Sequence, residues 1–280
     1  MGESVKKLAA AIAFVLLATR AEAAFPPSIK HVIVIVLENE QRAKAATQPY
    51  FAELLKRGAS LRNYSAITHP SRPNYIALIS GSTHGVNSDA MVTLDARHIG
   101  DLLEAHGLTW KVYAENYPGN CFLKDRAPGK YVRRHVGFLD FANVQKDKAR
   151  CANIVDDKQL ERDAANGTLP AFALYVPNND NNGHDTGVAA AAKATQRRFD
   201  KLLTDPAFAS TLFVITFDED DGRAKNHIYT VLLGAGVKTG AVSNANYTHY
   251  SLLRTIEEIF DLGNLGEQDA QASAITDVWK

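Results

Sequence analysis

The chain has 280 residues, of which 46% are hydrophobic and 22% are charged, and its formal net charge at pH 7 is zero. This balance is typical of a folded globular domain and excludes an intrinsically disordered chain. The lack of excess positive charge argues against a general nucleic-acid-binding surface and against attachment to acidic membranes.

The first residues have the pattern of a secretory signal peptide. Lys6 and Lys7 precede an apolar run over residues 8–18, and Ala21-Glu-Ala23 follows as a cleavage motif. The apolar run is too short for a transmembrane segment, which needs about 20 residues. We therefore expect residues 1–23 to be a signal peptide and residues 24–280 to be one exported domain, periplasmic or secreted, of unknown oligomeric state.

From residue 31 onwards the hydrophobic pattern alternates between strands and helices. HVIVIVL, residues 31–37, is typical of a strand buried on both faces of a parallel or mixed sheet. Later strands are predicted over 109–114, 171–176, 211–217 and 228–233, and helices over 50–56, 71–80, 99–105, 188–203 and 250–260. This order predicts an α/β domain.

Residues 115–165 interrupt the alternation. The segment is rich in Gly, Pro, Asn and charged residues and contains both cysteines of the chain, Cys121 and Cys151. We interpret it as an irregular insertion over a functional site. In an oxidising compartment the cysteine pair predicts a disulfide, and two buried free thiols are the alternative.

The heptapeptide His69-Pro-Ser-Arg-Pro-Asn-Tyr75 places Ser71 between an extended run and a helix. The free N–H groups and the positive dipole end of a helix start favour a bound anion, phosphate above all. Ser71 is therefore a candidate nucleophile. Serine is also a common helix N-cap, and the local sequence leaves both interpretations open.

Polar residues follow three of the predicted strands. Glu38-Asn39 follows the first, Asp218-Glu219 follows the strand over 211–217, and a loop with Asp180 and His184 follows the strand over 171–176. In open α/β sheets ligands bind beyond the carboxyl ends of the strands, so we expect these residues to converge. Clustered carboxylates need a cation to offset their repulsion, which predicts a metal site.

The donor atoms suggest two kinds of ion. Carboxylate and amide oxygens at the ends of the first and late strands suit Mg²⁺, Mn²⁺ or Ca²⁺. Asp180 and His184, four residues apart, form a mixed oxygen and nitrogen set that suits Zn²⁺ or Mn²⁺, and His227 is a candidate to complete it. One divalent ion or two, and its identity, stay open at this point.

Blocks that contain these residues run in order from about residue 31 to residue 265. They are HVIVIVLEN, THPSRPNYIALISGSTHG, LPAFALYVPNNDNNGHD, VITFDEDDG, HIYTVLLGAGVK and YTHYSLLRTIEEIFDL. Together they resemble the phosphoesterase family of bacterial acid phosphatases and phospholipases C, within the alkaline phosphatase superfamily. The resemblance implies an alkaline phosphatase-like three-layer sandwich around a central mixed, mostly parallel sheet.

The resemblance also implies roles for individual residues. Ser71 matches the nucleophile of the superfamily, in a Ser-x-Pro-Asn context shared with related nucleotide phosphodiesterases. The implied metal ligands are Glu38, Asn39, Ser71, Asp218 and Glu219 for one ion, and Asp180, His184 and His227 for a second ion. The acidic pair Asp218-Glu219 stands where two-metal phosphodiesterases have Asp-His, so one firmly held ion is as well supported as two.

The function expected from this site is metal-dependent hydrolysis of a small phosphomonoester, as in an acid phosphatase, through a phosphoserine at Ser71. We expect Asn74 to donate to the phosphoryl oxygens, and a histidine to protonate the leaving group, His184 first and then His69 or His249. His249 also fits a purely structural role at a helix start.

Two other functions and one further role stay open. A phospholipase C or another phosphodiesterase would use the same site, and a non-catalytic exported metal-binding protein would use only the acidic loops. His135, with Arg133 and Arg134, either contacts substrate or belongs to a solvated basic loop.

Overall fold

The computed structural model describes residues 25–280, so the predicted signal peptide lies outside the described residues. Within this range there are eight strands and nine α-helices. The strands are β1 (His31–Leu37), β2 (Ala59–Ser65), β3 (Trp110–Ala114), β4 (Ile154–Asp156), β5 (Phe172–Val176), β6 (Thr211–Phe217), β7 (Thr230–Gly234) and β8 (Val242–Thr248). The helices are α1 (Arg42–Ala45), α2 (Pro49–Arg57), α3 (Ser71–Ser80), α4 (Ile99–Ala105), α5 (Ala142–Gln145), α6 (Lys148–Cys151), α7 (Gln159–Ala165), α8 (Val188–Phe199) and α9 (His249–Ile259). None of the helices in residues 25–280 combines the length and hydrophobicity needed to cross a bilayer.

All eight strands form one sheet in the order β4-β3-β5-β1-β6-β7-β2-β8. β7 runs antiparallel to its neighbours β6 and β2, and the other neighbouring pairs are parallel. The predicted mixed, mostly parallel sheet is confirmed. β1 is central and lies between β5 and β6, as its unbroken β-branched sequence predicts.

Helices cover both faces of the sheet. Phe217 of β6 contacts Phe51 of α2, with ring centroids 6.1 Å apart. Phe172 of β5 and Leu212 of β6 are both register partners of Val32, so their side chains point to the same face of the sheet. Leu212 and Phe217 are an odd number of residues apart on β6, so their side chains point to opposite faces. Phe172 therefore points to the face opposite Phe51. There Phe172 meets Phe138, at 6.4 Å. α2 packs with α8, and α3 packs with α9, which gives three layers.

The predicted irregular insertion is partly regular. β4 pairs with β3 as an edge strand, and α7 follows it, both within residues 115–165. β4 is too short, at three residues, to leave a hydrophobic period in the sequence. The predicted disulfide is confirmed: Cys121 and Cys151 are bonded, with Cα atoms 5.5 Å apart.

Candidate active site

Ser71 is the first residue of α3, and Pro70 occupies the N-cap position. The N-cap interpretation of Ser71 is therefore wrong, and its side chain is available for other contacts. Ser71 is buried, and its Oγ lies 3.2 Å from Glu38 Oε2 and 3.3 Å from Glu219 Oε1. Its single hydroxyl hydrogen can be donated to only one of these carboxylates at a time.

The sheet brings the carboxylates together. Leu37 and Phe217 are register partners at the ends of β1 and β6, so the residues that follow them lie side by side. Glu38, Asp218 and Glu219 are all buried. Three carboxylates thus surround one serine hydroxyl in a site with little solvent.

Burial raises the pKa of each of these carboxyls, and repulsion from neighbouring carboxylates adds to it. For Glu38 the causes are burial and then the charge of Asp218, and for Asp218 they are burial and then the charge of Glu219. Burial raises the pKa of Glu219 to about 7. Among residues 25–280, Asp218 Oδ2 has no hydrogen-bond partner. The cluster therefore needs protons or a cation to be stable at neutral pH.

Asn39 adds an amide to this cluster. Its N–H donates to Asp218 Oδ1 at 3.2 Å, from a left-handed backbone with φ 51°. One terminal atom of its side chain lies 3.2 Å from Asp218 Oδ1 and 3.1 Å from Glu38 Oε2. If this atom is the amide nitrogen, Asn39 donates hydrogen bonds to both carboxylates. If it is the amide oxygen, it faces two carboxylate oxygens, and a cation is needed between them to offset the repulsion.

The residues present fit a divalent cation. In the described part of the chain, no group of three or more His, Cys, Asp or Glu side chains is arranged to hold a metal ion. A cation in this cluster would therefore also use the oxygens of Asn39 and Ser71. All the donors of this set are oxygens, which Mg²⁺, Mn²⁺ and Ca²⁺ prefer.

His69 lies at the entrance of the cluster, and its side chain is 45% exposed. Its Nδ1 is 2.7 Å from Glu219 Oε2, and its Nε2 is 3.2 Å from Asp220 Oδ1. His69 therefore lies beside the cluster, with both ring nitrogens facing carboxylates.

His249 lies behind the cluster rather than at its entrance. Its Nε2 donates to the main-chain oxygen of Asp218 at 2.8 Å, and Tyr64 donates to its Nδ1 at 3.2 Å. Burial lowers the pKa of His249 to about 4, so the ring is neutral. Because both nitrogens are occupied, these contacts favour the structural role of His249 over protonation of a leaving group. It holds Asp218 in place.

Asn74 does not point to the cluster, contrary to expectation. Its Oδ1 accepts hydrogen bonds from the N–H groups of Ile67 and Thr68, at 3.0 and 3.1 Å. Its Nδ2 donates to the carbonyls of Thr68 and Pro70. Because these bonds use the whole amide, Asn74 fixes the loop that leads into α3.

The structure does not assemble the second metal site. Asp180 is exposed and lies 3.6 Å from Lys130 Nζ. His227 Nε2 bonds to the carbonyl of Arg62 at 2.6 Å, and His184 Nδ1 bonds to Asp185 at 2.8 Å. The spacing of Asp180 and His184 suggested a shared ligand set, but the loop between them turns their side chains to different partners.

Two basic residues of the insertion belong to the site. Arg134 and His135 are buried, so the solvated-loop alternative is wrong. His135 Nε2 lies 3.4 Å from Glu38 Oε2, and the ring stacks on Tyr75, whose hydroxyl donates to Glu38 Oε1. Arg134 Nη2 lies 3.3 Å from His184 Nε2. Basic residues in a loop usually face water, so the sequence carried no signal of this burial.

Asp89 is a further residue near the site that the sequence did not single out. Its Oδ1 accepts the N–H of Arg72 at 3.0 Å, directly after Ser71. Its Oδ2 lies 3.5 Å from Arg134 Nε. It lies in a segment without regular structure, where an aspartate normally indicates only a turn.

Known proteins are similar in sequence to this chain. Residues 43–263 match the model of the Phosphoesterase family. A phosphatidylinositol-3-phosphatase of Mycobacterium tuberculosis is 33% identical over 263 residues, covering 90% of this chain and 84% of that protein. An acid phosphatase of Aspergillus fumigatus is 33% identical over 252 residues, covering 85% of this chain and 56% of that protein.

More distant proteins share the family sequence or the fold. A non-specific phospholipase C6 of Arabidopsis thaliana is 24% identical over 284 residues, covering 82% of this chain and 51% of that protein. The chain thus spans only about half the length of the plant and fungal relatives. A structure from Vibrio parahaemolyticus, described as a protein in the alkaline phosphatase superfamily, aligns with a TM-score of 0.60 at 14% identity, covering 91% of this chain and 74% of that one. The expected alkaline phosphatase-like fold is confirmed.

Proposed function

The chain belongs to the phosphoesterase family, whose members hydrolyse phosphoric esters, and from this premise we propose that it is a metal-dependent acid phosphatase acting through a phosphoserine at Ser71. One observation carries the proposal: the buried Ser71 hydroxyl lies between Glu38 and Glu219, at 3.2 and 3.3 Å. Ser71 lies at the N-terminus of a helix and contacts two carboxylates, and either carboxylate can accept the proton of its hydroxyl.

The cation would be held by Glu38, Asn39, Asp218 and Glu219, with Ser71 as a further oxygen donor. A bound divalent cation supplies positive charge that lowers the pKa of a serine hydroxyl and offsets the negative charge of the phosphoryl group. The unpaired Asp218 Oδ2 and the raised pKa values of the carboxyls support this assignment.

In the first step, Ser71 Oγ attacks phosphorus, and its proton passes to the carboxylate of Glu38 or Glu219. The Oγ–P bond forms while the bond from phosphorus to the leaving oxygen breaks. We assign protonation of that oxygen to His184 Nε2, because the bond between Nδ1 of the same ring and Asp185 fixes the orientation of the ring.

In the second step, a water oxygen attacks the phosphoserine. The new bond to phosphorus replaces the bond to Oγ, and the water proton passes to His184 Nε2, which lost its proton in the first step. Oγ takes back the proton held by Glu38 or Glu219, and phosphate leaves. A histidine acid is more fully protonated below neutral pH, which supports an acidic optimum.

The names of the relatives support a monoester substrate. The two relatives described above at 33% identity are named as phosphatases, and the phospholipase C is more distant, at 24%. A diesterase stays the alternative, since it would use the same nucleophile. Export is part of the proposal as well, supported by the leader pattern of residues 1–23 and by the disulfide.

The test compares Ser71→Ala with Ser80→Ala, a serine of the same helix that is equally buried and bonds to Ile76 O. We expect Ser71→Ala to lose activity toward p-nitrophenyl phosphate by at least about 10³-fold, and Ser80→Ala to stay within about tenfold. Bis(p-nitrophenyl) phosphate and phosphatidylcholine test the diester alternative. Cleavage of these two diesters in preference to the monoester would favour it.

Removal of metal tests the other part of the proposal. We expect dialysis against a chelator to abolish activity, and Mg²⁺, Mn²⁺, Ca²⁺ or Zn²⁺, added singly, to restore it to different extents. Full activity in thoroughly chelated protein would contradict the metal role. Cation-dependent thermal stability with no hydrolysis of any of these substrates would instead indicate a non-catalytic metal-binding protein.

A further inference from the structure

Arg134 is a buried arginine whose guanidinium is largely unpaired. Arg134 and the preceding Arg133 belong to one short helical turn of the insertion and are similarly buried. Arg133 donates to the carbonyls of Leu123 and Leu139, both at 2.7 Å, and pairs with Asp140. Both terminal nitrogens of Arg133 are thus used within the fold, although its Nε has no hydrogen-bond partner in residues 25–280.

Arg134 makes far fewer contacts. Its Nη2 lies 3.3 Å from His184 Nε2, and its Nε has no hydrogen-bond partner among residues 25–280. The nearest carboxylate oxygen to Nε, Asp89 Oδ2, is 3.5 Å away and outside hydrogen-bond geometry. A guanidinium has five N–H donors, so a buried one with a single hydrogen-bond contact and one ion pair at 3.5 Å lacks acceptors.

The histidine that faces Arg134 does not supply a strong acceptor. Asp185 forms an ion pair with Lys130, with 2.9 Å between Oδ2 and Nζ. His184 Nδ1 therefore carries the hydrogen that it donates to Asp185 at 2.8 Å. His184 Nε2 faces Arg134: in the neutral ring it is an uncharged acceptor, and in the protonated ring that donates to the leaving group it accepts no hydrogen bond. An oxyanion in hydrogen-bond contact with both side chains would give Arg134 a charged acceptor of the kind that it lacks.

This pair of side chains belongs to the surroundings of Ser71. Asp89, beside Arg134 Nε, also accepts the N–H of Arg72, the residue after Ser71. On the other side, His135 follows Arg134 in sequence and lies 3.4 Å from Glu38, which contacts the Ser71 hydroxyl. Arg134 thus connects to Ser71 through two separate sets of contacts.

We propose that Arg134 binds the phosphoryl oxygens of the substrate and selects phosphomonoester dianions over diesters. The inference rests on the proposed function, since it assigns the substrate class of the same site. A monoester dianion presents one more charged oxygen than a diester monoanion. A buried guanidinium that faces this additional charged oxygen binds the monoester more strongly. In a diester the oxygen at the same place is esterified and carries no charge.

The test compares Arg134→Ala and Arg134→Lys with Arg126→Ala. Arg126 lies in the same insertion, its side chain is 60% exposed, and it pairs only with the neighbouring Asp125. Arg126→Ala therefore removes the same charge without removing a buried donor. Thermal melting of each variant verifies that it is folded.

Two measurements are made on the cation-loaded proteins at one pH. For Arg134→Ala we expect kcat/KM toward p-nitrophenyl phosphate to fall about 100-fold, and orthophosphate binding by calorimetry to weaken about 10- to 100-fold. Turnover of bis(p-nitrophenyl) phosphate should fall less than about fivefold on the same grounds. Arg134→Lys should recover part of the phosphate affinity, and Arg126→Ala should match the wild type.

The outcomes separate this inference from the proposed function. Phosphate binding needs no turnover, so it tests Arg134 even in a wild-type protein that fails to hydrolyse monoesters. Folded Arg134→Ala that binds orthophosphate as tightly as Arg126→Ala would overturn the inference. An equal loss for monoester and diester would overturn the claim of selectivity.

Discussion

His249 donates a hydrogen bond to the main-chain oxygen of Asp218, with 2.8 Å between Nε2 and the oxygen. Because Tyr64 donates to the other ring nitrogen, at 3.2 Å, the neutral ring joins β2 to the residue that follows β6. We infer that His249 positions Asp218 and takes no part in proton transfer.

Replacing His249 with Ala therefore has two expected effects. Two buried polar groups lose their partner and a cavity forms, so the free energy of unfolding should fall by about 3 kcal/mol. Asp218 should also bind the cation less well, so activity should need more cation. Urea unfolding and cation titration of activity measure these effects. Tyr64→Phe is the control, since it removes one bond only. An unchanged cation requirement in folded His249→Ala would show that Asp218 needs no such support.

His98 is expected to make the stability of the protein depend on pH. Its Nδ1 accepts the N–H of Gly100 at the start of α4, and its Nε2 bonds to Asn143 Oδ1 at 3.1 Å. Burial lowers the pKa of His98 from 6.5 to about 4. The unfolded chain therefore binds more protons than the folded one between these values, and stability is lost as pH falls through that window.

His98→Asn tests this dependence, since asparagine caps a helix without titrating. Between pH 6.5 and 4 the free energy of unfolding of the wild type should fall by about 3 kcal/mol more than that of the variant, because only the wild type has a residue whose pKa differs between the folded and unfolded chains. Urea unfolding of both proteins at several pH values measures the difference, in which contributions from other groups cancel. Parallel pH curves would mean that His98 is not the titrating group.

Glu257 on α9 is expected to make stability depend on pH in the opposite direction. Both of its carboxylate oxygens are buried without a hydrogen-bond partner in residues 25–280. Burial, and then the charge of Asp269, raise its pKa from 4.5 to about 9. The folded chain binds the extra proton, so the stability present below pH 4.5 is lost as pH rises toward 9.

Glu257→Gln should thus stabilise the protein at neutral pH, by about 3 kcal/mol at pH 7, and have little effect near pH 4.5. Glu258→Gln is the matched control, because Glu258 is more exposed and pairs with Arg254. Its expected effect is below about 1 kcal/mol. Chemical unfolding at both pH values measures the changes. A destabilised Glu257→Gln at pH 7 would argue against a proton on this residue.

The disulfide between Cys121 and Cys151 closes a loop that contains Arg134 and His135. Replacing both cysteines with alanine should lower the free energy of unfolding by about 3 kcal/mol, a typical value for a loop of this length. Since the loop also places two residues of the site, kcat/KM should fall as well. Reduction of the wild type with dithiothreitol should reproduce both changes. A reduced protein with unaltered stability would contradict this role for the disulfide.

Much of the fold could be predicted because its strands are long and apolar. β1 and β6 begin and end at the predicted residues, and the polar groups after them converge on Ser71. β4 and β8 were missed, because β4 is very short and β8 is largely exposed, so neither has a clear hydrophobic period.

The hydrogen-bond partners of the site residues were harder to predict, because several possible partners lie within reach of each side chain. Asn74 has the expected position next to Ser71, yet the carbonyls and N–H groups of its own loop satisfy its amide. Arg134 and His135 are the reverse case, since long-range packing of an irregular segment buries them. Sequence spacing gives the location of a side chain along the chain but not its hydrogen-bond partner.

The central claim is that Ser71 carries the phosphoryl group during turnover. The most direct measurement is peptide mass spectrometry of the cation-loaded enzyme, quenched in acid during hydrolysis of p-nitrophenyl phosphate. We predict phosphate on Ser71 in the wild type and in Ser80→Ala, and an unmodified, inactive Ser71→Ala. A wild-type Ser71 that stays unmodified, together with activity of Ser71→Ala within about tenfold of the wild type, would contradict the account.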